Sequence, residues 1–88
     1  MEGPTNAKRG EHISLNVTST TQGASLVRCH VFAADGSRSP IYSRNVLLQN
    51  GRGTFTLPFA LNDLPGKYVI RSTDVVSGIE FEKTIELR

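Results

Sequence analysis

Eighty-eight residues, 38% apolar and 20% charged with a formal net charge of +2, can build one modest core and no second domain. That balance excludes a disordered polyelectrolyte and a strongly basic nucleic-acid arm, and no apolar run approaches the ~20 residues a membrane-spanning helix needs. One cysteine excludes a disulfide scaffold and a cysteine zinc site held within one chain.

Valine, isoleucine and threonine number twenty against five alanines and three lysines, a balance that favours pleated strands over helices. Met1 to Gly10 has no apolar h-region of a signal peptide and reads as a flexible lead or linker fragment ahead of one domain over residues 11–88. From Glu11 to Thr18, Ile13, Leu15 and Val17 alternate with polar residues, which predicts a half-buried strand. Thr20-Thr21-Gln22-Gly23 predicts a turn. A second strand over Ala24 to Ala34 turns Val27, Cys29, Val31 and Ala33 inward, and Asp35-Gly36-Ser37 closes it. Pro40 cannot donate to a ladder, so a third strand is expected after it, from Ile41 to Leu48. Asn50-Gly51 is the strongest hairpin signal and leads into a fourth strand, Arg52 to Leu57, with Phe55 and Leu57 inward. Phe59 to Leu64 is a connection with room for one helical turn. A fifth strand, Lys67 to Thr73, carries Tyr68 and Ile70 inward; Ser77-Gly78 turns it into a sixth, Ile79 to Leu87, with Ile79, Phe81, Ile85 and Leu87 inward.

Pairing Asp74 with Ile79 in that last hairpin sets Arg71 opposite Glu82, Lys67 opposite Glu86 and Tyr68 opposite Ile85. The same register puts Lys83 on the inner face beside Ile70, which requires either a bulge or a side chain that snorkels to the edge. Six short strands with one apolar face each predict an antiparallel sandwich, because two sheets can bury those faces against each other. A closed barrel fits less well, since six strands leave little interior.

Leu64-Pro65-Gly66-Lys67-Tyr68 resembles the tyrosine corner of Greek-key immunoglobulin-like domains, in which the phenol bonds the backbone a few residues upstream. The longer run from Gly53 to Tyr68, with Asp35-Gly36 before it, is similar to bacterial immunoglobulin-like and macroglobulin-type modules, including C-terminal accessory modules of secreted β-galactosidase-like glycoside hydrolases. The resemblance covers about residues 30–88. It implies an immunoglobulin-like sandwich of six or seven antiparallel strands in two sheets. It also implies an extracellular, periplasmic or cell-surface location and a non-catalytic role as spacer, stabiliser or adhesive surface. Ile70 stands where antibody domains carry the second half-cystine, and there is no tryptophan.

No pattern asks for a cofactor, a metal or an enzyme. His12 and His30 would need Asp63 or Asp74 to complete a metal site, and Asp35, Asp63 and Asp74 are too scattered for a calcium loop. Cys29 and His30 are neighbours on a strand and point to opposite faces, so they form no catalytic pair. Ser72 and Ser77 lack a partnered base. Glu80, Glu82 and Glu86 lie along one outer face, an ordinary solvated row. Nucleic acid is not an expected partner, because basic runs and stacked aromatics are missing. Two readings stay open. One is packing against neighbouring domains of a parent chain. The other is glycan binding, with Phe32, Tyr42 and Phe59 as possible exposed contacts and Tyr68 reserved for the corner.

Overall fold

The computed structural model describes residues 1–20 and 22–88. Thr21, within the predicted turn, lies outside the described residues. The chain is all-β: β1 (Asn6–Ala7), β2 (His12–Thr18), β3 (Ala24–Phe32), β4 (Arg38–Gln49), β5 (Arg52–Pro58), β6 (Gly66–Asp74) and β7 (Glu80–Leu87). They are hydrogen-bonded in the order β1-β7-β6-β3-β4-β5-β2, and the sheet is nearly closed into a barrel. All pairs are antiparallel except β1 with β7. The connection between β5 and β6 is a turn, without the helical turn the sequence allowed.

Residues 1–10, expected as a flexible lead, are bonded to both margins of the sheet. Glu2 exchanges two backbone bonds with Asn16 of β2, at 2.8 and 2.7 Å. Further along, Glu86 N–H donates to Thr5 O (2.8 Å) and Arg88 N–H to Ala7 O (2.9 Å), which fastens the same segment to β7. Buried Ala7 adds an apolar anchor. This segment carries no long period-two pattern because it pairs in two short pieces with different strands, and it supplies the closure that six strands alone could not.

Inward rows from every strand fill the interior. Ile13, Leu15 and Val17 of β2 and Phe55 and Leu57 of β5 join Val27, Cys29 and Val31 of β3 and Tyr68, Ile70, Ile85 and Leu87 of β6 and β7. Tyr42, Val46 and Leu48 of β4, with Ala7 of β1 and Phe59 after β5, complete this core. The β6–β7 register is the one the charges indicated, with Arg71 opposite Glu82, Lys67 opposite Glu86 and Tyr68 opposite Ile85. Lys83 stays in register opposite Ile70 without a bulge and reaches out to Gly3 O at 3.2 Å, so it snorkels. Ile79, expected inward, lies outside β7 and is 58% exposed, and Phe81 is only partly buried.

The irregular strand is β4. Cys29 pairs with Arg44 but Val31 pairs with Ser39, so residues 40–43 bulge opposite His30. Pro40 therefore sits inside the strand, where it has no ladder bond to make. Ser43 repairs the gap: its Oγ accepts from Val31 N–H (2.9 Å) and donates to Ser39 O (2.6 Å). Beyond the bulge β4 runs straight to Asn50-Gly51, whose φ values of 51° and 79° make the tight turn that was expected. β4 and β5 then pair only at Gln49 and Arg52. Arg44 lies over the Phe55 ring, its guanidinium carbon 5.7 Å from the centroid.

Candidate functional site

β3 and β6 are interior strands, paired on both sides, so their outward side chains form a continuous tiled surface with β4 and β7. Register fixes the tiles. His30 faces Arg71, which faces Glu82; Asn45 faces Arg28, which faces Thr73, which faces Glu80. A depression of about 720 Å³ lies over β3, β6 and β7 and is lined by Arg28, His30, Phe32, Arg71 and the carboxylates Glu80 and Glu82. A second, of about 380 Å³, continues toward β4 and is lined by Arg28, His30, Arg38, Arg44 and Asn45. Arg28 and His30 belong to both.

On the acidic side of this face Arg71 pairs with Glu82, while Glu80, which lines the same depression, is in no ion pair among the described residues. Arg71 Nε donates to Glu82 Oε1 at 2.9 Å, with both side chains more than half exposed (65% and 56%), so the pair stabilises by less than about 1 kcal/mol. The Arg71 guanidinium carbon also lies 5.3 Å from the Phe32 ring centroid. On the basic side, Arg38 Nε donates to His30 Nδ1 at 3.0 Å. That bond requires the His30 tautomer with its proton on Nε2, and it leaves both terminal amino groups of Arg38 free of this contact.

The aromatic contacts expected from the sequence sit differently. Phe32 is on the outer face, as its phase indicated, but Arg71 covers its ring. Tyr42 is 7% exposed and Phe59 only 1%, so neither offers a face to a ligand. They belong to an aromatic ladder with Tyr68. Phe59 makes edge contacts with both tyrosines, at 5.7 Å to Tyr42 and 5.2 Å to Tyr68. The Tyr42 hydroxyl donates to the Asp63 carboxylate, and Ala60 N–H donates to Asp63 at 2.7 Å. Tyr68 O–H donates to Leu64 O at 2.8 Å, four residues upstream. Burial raises both phenols above the ordinary tyrosine value; Asp63 adds to the shift, bonding Tyr42 directly and acting on Tyr68 through its charge.

The remaining polar candidates serve local structure. Asp35 accepts from Ser37 N–H (2.9 Å) and Ser37 O–H (2.6 Å), which lowers its pKa. Asp74 accepts from Val76 N–H (2.9 Å), Ser77 N–H (3.3 Å) and the Ser19 hydroxyl, fastening the β6–β7 turn. His12 lies on β2 opposite Pro58, away from His30 on β3. Among the described residues no group of three or more His, Cys, Asp or Glu side chains could hold a metal ion. Cys29 is buried, accepts from Ser72 O–H at 3.3 Å, and has its thiol pKa pushed up by burial, so the reactive thiolate is disfavoured.

Among the described residues seven large apolar side chains are exposed. Val75, Val76 and Ile79 crowd the β6–β7 turn, while Leu61 and Leu64 precede β6. The nine residues of β6 separate the two groups by about 30 Å. Compared with known proteins, the sequence matches no family model and no curated relative.

Proposed function

We propose that this chain is a non-catalytic accessory module of a larger secreted bacterial protein, such as a glycoside hydrolase, and that it works by packing against neighbouring domains. In this reading the architecture is an immunoglobulin-like sandwich, with β2 and β5 as one layer and β4, β3, β6 and β7 as the other. The single pair joining β4 to β5 supports that division, as does the bond from Tyr68 to Leu64 O, which has the geometry of a tyrosine corner.

The observation that carries the functional reading is the placement of exposed apolar side chains at both ends of a body measuring 38 × 20 × 18 Å. Side chains such as Val76 (64%) and Leu61 (79%) contribute nothing to this core while exposed, and they gain when a neighbour covers them. The test uses V76K/I79K and L61K/L64K, each made in the isolated chain and in the full-length polypeptide that carries it. The isolated chain is expected to keep its melting temperature within about 2 °C, as surface substitutions usually do. The full-length protein is expected to lose several degrees in this module. Identical behaviour in both contexts would overturn the reading.

A further inference from the structure

We infer that the arginine-lined surface around Arg28, His30 and Arg38 is a binding site for an acidic polysaccharide, one carrying carboxylate or sulfate groups. The charge distribution points there first. Between Glu11 and Asp63 the chain contains a single acidic residue, Asp35, against Arg28, Arg38, Arg44 and Arg52. Asp35 is occupied by its own turn through Ser37. Among the described residues the one ion pair joins Arg71 to Glu82, so Arg28, Arg38 and Arg44 have no carboxylate partner. A guanidinium presents a planar fork of donors that matches a carboxylate or sulfate, and one held by an existing contact loses less freedom on binding. His30 holds Arg38 in that way, through its Nε and not through its two terminal amino groups.

The fold narrows the class of polyanion. β3 and β6 are paired on both sides, so their backbone offers no free ladder to an acidic peptide. Of the two phenylalanine rings that line the depression, Phe32 is covered by Arg71 and Phe81 is partly buried against the core, so a nucleic-acid base finds no open stacking platform. What remains is a shallow surface of side-chain donors and acceptors, with Asn45 and Thr73 beside Arg28 in register. Such a surface suits a chain of hydroxylated rings bearing anionic groups. A glycan here attaches the module whether or not its apolar ends meet a neighbouring domain, so the two readings fail separately.

The experiment is an amide and side-chain shift titration of the isotope-labelled chain. The probes are a sulfated oligosaccharide, an oligogalacturonate and a neutral malto-oligosaccharide, with a single-stranded oligonucleotide and polyglutamate as competing polyanions. Saturable shifts at Arg28, His30, Arg38 and Asn45 are expected with at least one acidic glycan and none with the neutral one; the two acidic arms show whether sulfate or carboxylate is preferred. R28A/R38A is expected to weaken that binding at least tenfold, and R28K/R38K, which keeps the charge and loses the fork, about threefold or more. R9A/R88A alters the separate basic cluster of Lys8, Arg9 and Arg88 and is expected to change affinity less than twofold. The inference is overturned if neither acidic glycan gives saturable shifts, or if polyglutamate or the oligonucleotide binds these residues more tightly. It is equally overturned if both Arg28/Arg38 variants bind like the parent.

Discussion

Tyr42 and Tyr68 do related jobs with different partners. Tyr68 bonds a neutral carbonyl, Leu64 O, whereas Tyr42 donates to a carboxylate that also takes Ala60 N–H. Bonds to charged acceptors contribute more than bonds to neutral ones, and removing a donor leaves the carboxylate partly buried with fewer partners. Tyr68→Phe is therefore expected to cost about 1 kcal/mol and Tyr42→Phe roughly 1.5–3 kcal/mol in urea unfolding. Equal losses would mean that water replaces the phenol at Asp63 without penalty. The role of Tyr68 was legible because a sharp Pro-Gly corner precedes it. Tyr42 was not legible, because apolar residues stand on both parities of its strand: Val46 and Leu48 share its phase, but Ile41 and Leu47 carry the other and are 80% and 60% exposed. Pro40 marked an interruption without revealing that the strand resumes on both sides of it.

At the scale of elements, the N-terminal segment is the part whose role most changes on seeing the fold. Its backbone bonds to Asn16, Glu86 and Arg88 link β2 to β7, and Lys83 reaches back to Gly3 O. Deleting residues 1–7 removes these bonds and uncovers the margin beside Leu87, at a saving in ordering entropy. A net loss on the order of 2–4 kcal/mol is expected in urea unfolding, with faster amide exchange at Asn16 and Glu86. Unchanged stability and exchange would show that the segment merely rests on the sheet. The β4–β5 hairpin carries a second constraint. A Cβ built on Gly53 would lie 2.6 Å from Leu48 Cδ2 and 2.8 Å from Leu47 O. Backbone cannot withdraw as a flexible side chain can, so Gly53→Ala is expected to cost about 1–3 kcal/mol by the same assay. A neutral result would mean that the two strands separate further at little cost. Hairpins were the legible elements here, since turn chemistry and cross-strand charge are local; closure depends on a polar segment pairing with two strands remote from it in sequence.

For the molecule as a whole, the two buried phenols set a limit on alkaline stability. Both folded-state pKa values lie above the unfolded tyrosine value of about 10, through burial and the nearby Asp63 charge. Below that pH both states keep both protons and the phenols add no pH dependence. Above it the unfolded chain releases protons that the folded chain retains, so the unfolded state binds fewer and stability falls as pH rises. With two groups the slope approaches roughly 2.7 kcal/mol per pH unit until the folded pKa values are reached. Urea midpoints at pH 9 and pH 11 measure this fall, and phenolate absorbance identifies its source. Y42F/Y68F is expected to be less stable at pH 9 but to lose less between the two pH values; the loss it keeps includes that from the Cys29 thiol, whose pKa burial also raises. A parent and double variant that lose stability in parallel would place the alkaline limit outside the aromatic ladder. Loss of the ladder frees the connection between β5 and β6 and with it the apolar end at Leu61 and Leu64, so under the accessory-module proposal the same pH limit would govern contact with a neighbouring domain there. The arginine surface on β3 and β4 lies outside this ladder.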